Sequence, residues 1–331
     1  MLYNEIKKNF IIPNAFENWR EYREILTKYL IQTVECQEEA DLLIKEKKKI
    51  ALKKSENKKE KSKNPTLMIL GAGACNDFDL SLLMKHFSKI TLLDYDEISM
   101  RQAIKKYALS RRESGKIEIR KISLNGIGEE EYSSFCDELQ NFIRQRGREI
   151  SCEEFEAYAL CLVEHFLGES KRSGRYLSCL KENEYDYICC FGLHSQLQAM
   201  FSYIYRAFEQ NLLKMFWQEE MILSQNFMAR LVAEDEEFIP RFHDALFQSA
   251  RKKVFIGCEY ARCQEIEIDR MQNGEISMEV VEPIEGAYQA IRDLRERKLD
   301  RKEYTLTWPF APQYGIFYNM VVEEFTVDRL Y

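Results

Sequence analysis

The residues best placed for chemistry lie between Leu67 and Asp96, in the run LMILGAGACNDFDLSLLMKHFSKITLLDYD. Gly71 and Gly73 carry no Cβ, so the chain can turn tightly there and let a ligand approach the backbone. Asp94 closes a second apolar run, Ile90 to Leu93, and a carboxylate at that point can accept two hydrogen bonds from a vicinal diol. Tyr95 beside it offers a ring face to a planar base. An apolar run, a glycine turn, an amphipathic stretch and a second apolar run ending in an acid form the opening unit of a nucleotide-binding parallel sheet.

The rest of the chain must hold that unit rigid. Its 331 residues, 45% of them hydrophobic, suffice for one large domain with an appendage. No run of about 18 apolar residues occurs and the opening MLYNEIKKNF has no apolar h-region, so a soluble cytoplasmic protein without a membrane segment is expected. Ten cysteines are scattered through apolar periodic segments, as at Cys161, Cys189 and Cys190, with no CxxC pair; they read as reduced core residues.

In chain order, Asn14 is a candidate helix cap with Glu17 three residues later, and Phe16, Trp19, Tyr22, Leu26, Tyr29, Leu30 and Thr33 then recur at helical spacing. This amphipathic helix packs on the main body or forms part of a lid. Residues 45–63 hold ten Lys and three Glu, a local charge of +7 that leaves −14 on the remainder. The run reads as a solvated helix end and linker. Nucleic-acid contact through Lys45–Lys63 is the alternative, weakened by the absence of interleaved aromatic residues. The expected division is therefore an N-terminal helical extension and Lys-rich linker over 1–64, then an α/β domain over 65–331.

From Thr66 onward, strand and helix patterns alternate as a doubly wound sheet requires. Strands are expected at Leu67–Leu70, Ile90–Leu93, Ile117–Ile122, Tyr185–Phe191 and Lys253–Gly257. Helices are expected at about 77–86, 99–110, 195–216, 218–232, 239–250 and 286–297. About sixty residues separate the third and fourth strands, and two amphipathic helices, near 129–146 and 152–167, fit there as an insertion over about 127–180. Asn273-Gly274 signals a hairpin, and the chain closes with β-rich runs at 304–308 and 315–327. The fold expected is a mostly parallel seven-stranded sheet with an antiparallel C-terminal strand.

These positions together resemble the class I S-adenosylmethionine-dependent methyltransferases over about residues 65–331. The resemblance implies that Gly71, Ala72, Gly73, Cys75, Asn76 and Asp77 form the turn around the methionine part of S-adenosylmethionine, and that Asp94 binds its ribose. It also implies that Tyr95 lies against the adenine, that Ser123, Leu124 and Asn125 face it after the third strand, and that Phe191 and Gly192 approach the cofactor at the exit of the fourth. A dinucleotide is disfavoured because Asn76, followed by Asp77, stands where GxGxxG has its third glycine, and an acid near a helix N-terminus repels pyrophosphate.

The acceptor is expected to be a small molecule or a protein. His194 is a candidate general base because imidazole titrates near neutrality, and His194, Glu259, Tyr260 and Trp308 are candidates for the substrate pocket. The Asn/Asp-Pro-Pro-Tyr/Phe signature of base-amine methylation is absent after Phe191. His86, His165 and His243 lack metal-ligand spacing, so no metal is expected. Transfer of the aminocarboxypropyl arm, as in nicotianamine synthase-like proteins, and a non-catalytic nucleic-acid-associated module are the alternatives.

Overall fold

The computed structural model describes residues 2–8, 11–51, 64–175, 177–217, 225–263 and 282–327. Its sheet is assembled from β1 (Thr66–Leu70), β2 (Lys89–Asp94), β3 (Ile117–Lys121), β4 (Tyr185–Phe191), β5 (Ala250–Cys263), the two-residue β6 (Glu282–Pro283), β7 (Arg301–Ala311) and β8 (Ile316–Thr326). The order is β3-β2-β1-β4-β5-β8-β7, with β6 pairing β5 off this path. β1 to β5 run parallel; β8 runs antiparallel to both neighbours. The expected mostly parallel sheet of seven strands with a reversed C-terminal strand is present, and the two-residue β6 adds an eighth strand, antiparallel to β5.

Strand side chains alternate between two cores, as a sheet covered on both faces requires. Leu67 and Ile69 face α3 (Arg20–Ala51) and α4 (Leu80–His86), together with Tyr22, Leu26 and Leu30. Met68 and Leu70 face α10 (Gln225–Ser249) and α11 (Glu285–Glu296), with Phe242, Leu246 and Ala290. The helix α3 thus buries its apolar stripe in the same core as β1. Its Tyr29 and Thr33 hydroxyls donate to Glu324 Oε2 on β8 at 2.5 and 3.3 Å, beside Lys253 Nζ at 2.5 Å from Glu324 Oε1.

A third core joins α1 (Leu2–Lys8), α7 (Glu129–Arg146), α8 (Cys152–Arg172), α9 (Ala199–Met215) and the start of α10 through Tyr3, Phe135, Phe155, Phe201 and Phe227. The inserted pair α7–α8 is therefore part of a larger helical layer, and Ser151 closes a capping box at the start of α8.

Several local expectations change. Asn14 stands at φ 56° with no side-chain cap bond, and a short α2 (Ala15–Asn18) precedes α3. The helix after β1 starts only at Leu80, because Asp79 caps it by accepting from the Ser81 and Leu82 amides. The next, α5 (Glu97–Lys106), starts and ends before the expected 99–110, capped by Asp96, and a separate turn of helix, α6 (Arg111–Ser114), follows.

The helices expected at 218–232 and 239–250 are one, α10, running through Pro240. The buried stripe Phe227, Leu231, Phe238, Phe242 and Leu246 holds it across the missing N–H. Cys36 and Cys161 are exposed rather than core, though all ten cysteines are free thiols. The Asn273-Gly274 hairpin, residues 218–224 and the Lys-rich stretch 52–63 lie outside the described residues.

Gly286 opens α11 against the turn that follows β4. A Cβ there would lie 2.8 Å from the His194 carbonyl oxygen, closer than backbone tolerates. Gly286→Ala is expected to lower unfolding stability by roughly 1–3 kcal/mol through overpacking, measured by urea denaturation. An unchanged midpoint would show that α11 is free to slide.

Candidate functional site

β1 to β4 run in one direction, and the strand order reverses between β1 and β4, where a doubly wound sheet opens a crevice beyond its carboxyl ends. A cavity of about 390 Å³ lies there. Its walls include Gly71, Gly73 and Asn76 after β1, Asp94 and Tyr95 at the end of β2, Ser123, Leu124 and Asn125 after β3, and Gly192 after β4. Gly71 and Gly73 take φ of 63° and 45°, which keeps the turn open to a ligand at low steric cost.

Asp94 is anchored by the turn it faces. Its Oδ2 accepts from the Gly73 amide at 2.9 Å and its Oδ1 from the Asp96 amide at 2.8 Å. Each carboxylate oxygen keeps a second lone pair, enough for a diol. Burial raises its carboxyl above the ordinary range against the pull of those amides. Tyr95 packs edge-on to Tyr132, with ring centres 6.5 Å apart, and Lys7 Nζ lies 5.4 Å from its ring centre.

The cavity does not gather every candidate. Ala72, Cys75 and Phe191 are core residues, 4%, 2% and 7% exposed, because successive residues of the turn and strand point to opposite sides. Asp77 also lies outside the cavity lining, and its carboxyl is pushed up to about 7 by burial and by the charge of Glu259. Asn125 lines the cavity, but its Oδ1 accepts from Ser123 Oγ at 2.6 Å and the Ile127 amide at 3.0 Å, while its Nδ2 donates to the Leu197 carbonyl at 2.7 Å. With both Oδ1 lone pairs spent, it clamps the loop after β3 rather than receiving an adenine amine.

Residues not among the expected site candidates complete the walls. The N-terminal segment contributes Lys7, Ile11, Ile12, Ala15 and Trp19, and α9 contributes Met200 and Tyr203. Lys7 Nζ ties α1 across the opening, 3.2 Å from Asp96 and 2.6 Å from Glu129. Trp19 Nε1 donates to the Phe310 carbonyl at 2.9 Å, tying the same segment to β7.

A second cavity of about 360 Å³ shares Ile11, Ile12, Gln196 and Tyr203 with the first. Glu259 and Trp308 line it together with Ser195 and the aromatic rings of Phe310, Tyr314 and Tyr318. Glu259 is 3% exposed; one carboxylate oxygen accepts from Ser195 Oγ and the other, Oε2, has no partner. Burial pushes the Glu259 carboxyl up to about 7 even though the Ser195 bond lowers it.

An acid whose folded pKa is raised costs stability once ionised, so the penalty grows as pH rises from the unfolded value and is complete above about 7. Glu259→Gln is therefore expected to stabilise the fold by roughly 2–3 kcal/mol at pH 8 and by little at pH 5. Thermal unfolding at the two pH values checks it; an equal shift at both would refute the burial cause.

Two residues expected at the substrate pocket are elsewhere. Tyr260 packs among the apolar side chains of the second core and lines neither cavity. His194 is 0% exposed and points away from both cavities, because one turn of 3-10 helix (His194–Gln196) carries its ring toward α10 while Ser195 and Gln196 face the second cavity. Its Nε2 lies 2.9 Å from His243 Nε2, His243 Nδ1 lies 2.6 Å from Asp293, and Cys258 Sγ lies 3.5 Å from His194 Nδ1. One set of tautomers satisfies the whole chain with both rings neutral: Cys258 donates to His194, His194 to His243, and His243 to Asp293. Burial and the neighbouring His243 hold His194 well below its ordinary pKa, so it is a structural hydrogen-bonding residue rather than a general base.

Among the described residues no group of three or more His, Cys, Asp or Glu is placed to hold a metal ion, and no helix is long and apolar enough to cross a membrane.

The sheet order, the glycine turn after its first strand and the carboxylate ending its second match the arrangement that the sequence resemblance to the class I S-adenosylmethionine-dependent methyltransferase fold implied. No family model and no curated protein sequence matches the chain. Among solved structures it is similar to magnesium protoporphyrin IX methyltransferase from Synechocystis PCC 6803 with bound SAH, at 9% identity and TM-score 0.36, covering 98% of this chain and 100% of that one. It is also similar to the methyltransferase domain of bacterial CtHen1, at 11% identity and TM-score 0.35 over 79% of this chain and 90% of that one. A third is precorrin-6y C5,15-methyltransferase from Geobacter metallireducens GS-15, at 9% identity and TM-score 0.29 over 80% and 81%.

Proposed function

We propose that the chain is an S-adenosylmethionine-dependent methyltransferase that holds its cofactor in the cavity over β1, β2 and β4. The observation that carries this reading is convergence: Gly71 and Gly73, the Asp94 carboxylate and the Tyr95 ring meet on one cavity at the switch point of the sheet. Asp94 suits the ribose hydroxyls, the open glycine turn suits the amino-acid arm, and Tyr95 with Leu124 suits the adenine.

Bound there, the cofactor supplies a methyl group already activated by its sulfonium, so what the chain must provide is placement and a dry path. Ile11, Ile12 and Trp19 close the site from the N-terminal side, and the Lys7 ion pairs hold α1 across the mouth. Gln196 and Tyr203, common to both cavities, stand where donor and acceptor would meet.

Calorimetric titration of the full chain with S-adenosylmethionine and with S-adenosylhomocysteine tests the reading. Micromolar binding of both is expected. No binding of either overturns it.

A further inference from the structure

We infer that the second cavity is the acceptor site, and that it takes a small aromatic amine whose N–H is received by Glu259. This rests on the cofactor assignment above for the first cavity. Five aromatic residues, Tyr203, Trp308, Phe310, Tyr314 and Tyr318, wall the space, and Glu259 is the only charged residue among the described ones that line it. Planar apolar walls select a flat hydrophobic ligand, and a volume of about 360 Å³ suits a small molecule.

The chemical sign comes from Glu259. A carboxylate 3% exposed, with Oε1 spent on Ser195 and Oε2 unpartnered, is costly to leave ionised and alone. A ligand N–H or ammonium satisfies it; a carboxylate or phosphate repels it. The raised carboxyl, near 7, also fits it to receive a proton at neutral pH. Ser195 already donates to Oε1 and Gln196 Nε2 donates to Ser195 Oγ at 2.8 Å, while Oε2 is buried without a partner; the charge of Glu259 also acts on Asp77 and Tyr203 nearby.

In the step this site would perform, the lone pair of the neutral amine nitrogen, an ammonium having first lost its extra proton to water, bonds to the methyl carbon of the sulfonium donor. The carbon–sulfur bond breaks, its electron pair remains on sulfur as a neutral thioether, and the displaced N–H proton passes to the ionised Glu259 carboxylate. The products are the N-methylated amine, S-adenosylhomocysteine and a protonated Glu259.

The test is calorimetry on the full chain saturated with S-adenosylhomocysteine, titrated with 2-phenylethylamine, tryptamine, 2-phenylethanol and 3-phenylpropanoate. The amines are expected to bind at least tenfold more tightly than the alcohol, with no binding of the carboxylate. Glu259→Gln is expected to weaken the amines at least tenfold while the affinity for S-adenosylhomocysteine stays the same. Equal affinity for amine and alcohol, tighter binding of the carboxylate, or amine binding indifferent to Glu259→Gln would each overturn the assignment. Should that variant fail to fold, the ligand preference of the wild-type chain decides alone. A chain that binds S-adenosylhomocysteine but none of the amines retains the cofactor reading and loses this one; a chain that binds no S-adenosylhomocysteine loses both.

Discussion

Lys253→Met is expected to lower unfolding stability by about 3–5 kcal/mol, the range for breaking a buried ion pair by removing one partner. Lys253 on β5 and Glu324 on β8 are 9% and 2% exposed at the side chain, with 2.5 Å between Nζ and Oε1. Without the ammonium, Glu324 keeps the Tyr29 and Thr33 hydroxyls and a distant Lys302 at 3.9 Å, too little to hold a buried charge. The damage should reach α3 as well, since Tyr29 and Thr33 are its contacts to that carboxylate.

Two further measurements separate this cause from lost packing. The double variant Lys253→Met with Glu324→Gln removes the orphaned charge and is expected to recover most of the loss. The pH dependence has a definite sign. Burial alone would raise the Glu324 carboxyl, but the bonds from Lys253 and Tyr29 outweigh it and hold it below its ordinary value of 4.5. A depressed acid contributes stability above its unfolded pKa and loses it as pH falls, so the gap between wild type and Lys253→Met should narrow below about pH 4.5. Urea denaturation at pH 4 and pH 7 reads both arms. A gap that does not change with pH would assign the loss to packing.

Asp94→Ala is expected to weaken S-adenosylmethionine binding on the order of 100-fold, about 3 kcal/mol, by deleting two charge-assisted hydrogen bonds to a diol. The same substitution frees the amides of Gly73 and Asp96, so part of the loss comes from a looser turn. Asp94→Asn, which keeps the shape but not the charge, is the control and is expected to fall about tenfold. Melting temperature reports whether the fold survives. An affinity for Asp94→Ala within threefold of the wild type, in a folded protein, would place the ribose elsewhere.

The strand sequence of the sheet was legible because each strand writes its burial into its own residues. Leu67–Leu70 is a continuous apolar run, and so is β4 (YDYICCF) after the Asp186 near its start, as strands covered on both faces must be. Pro240 hid the continuity of α10, since a proline argues locally for a break and only the buried stripe on both sides of it argues against one. Asn14 shows the reverse error: its spacing to Glu17 fits a cap, but the chain passes through it in a left-handed conformation.

Of the candidate site, the sequence alone determined the parts whose chemistry is local: the glycine turn at 71–73, the acid at 94 and the ring at 95, all joined by short connections within one β-α-β unit. The tertiary structure alone decided everything that depends on direction. His194 and Ser195 are neighbours in the chain, yet a turn of helix sends one into a dry hydrogen-bonded chain and the other to Glu259 beside a cavity. Asn125 looked available until its carbonyl was found shared between Ser123 and Ile127. Lys7, Ile11 and Ile12 belong to the site only because the N-terminal segment folds back over the sheet, a contact across which no local pattern of residues extends.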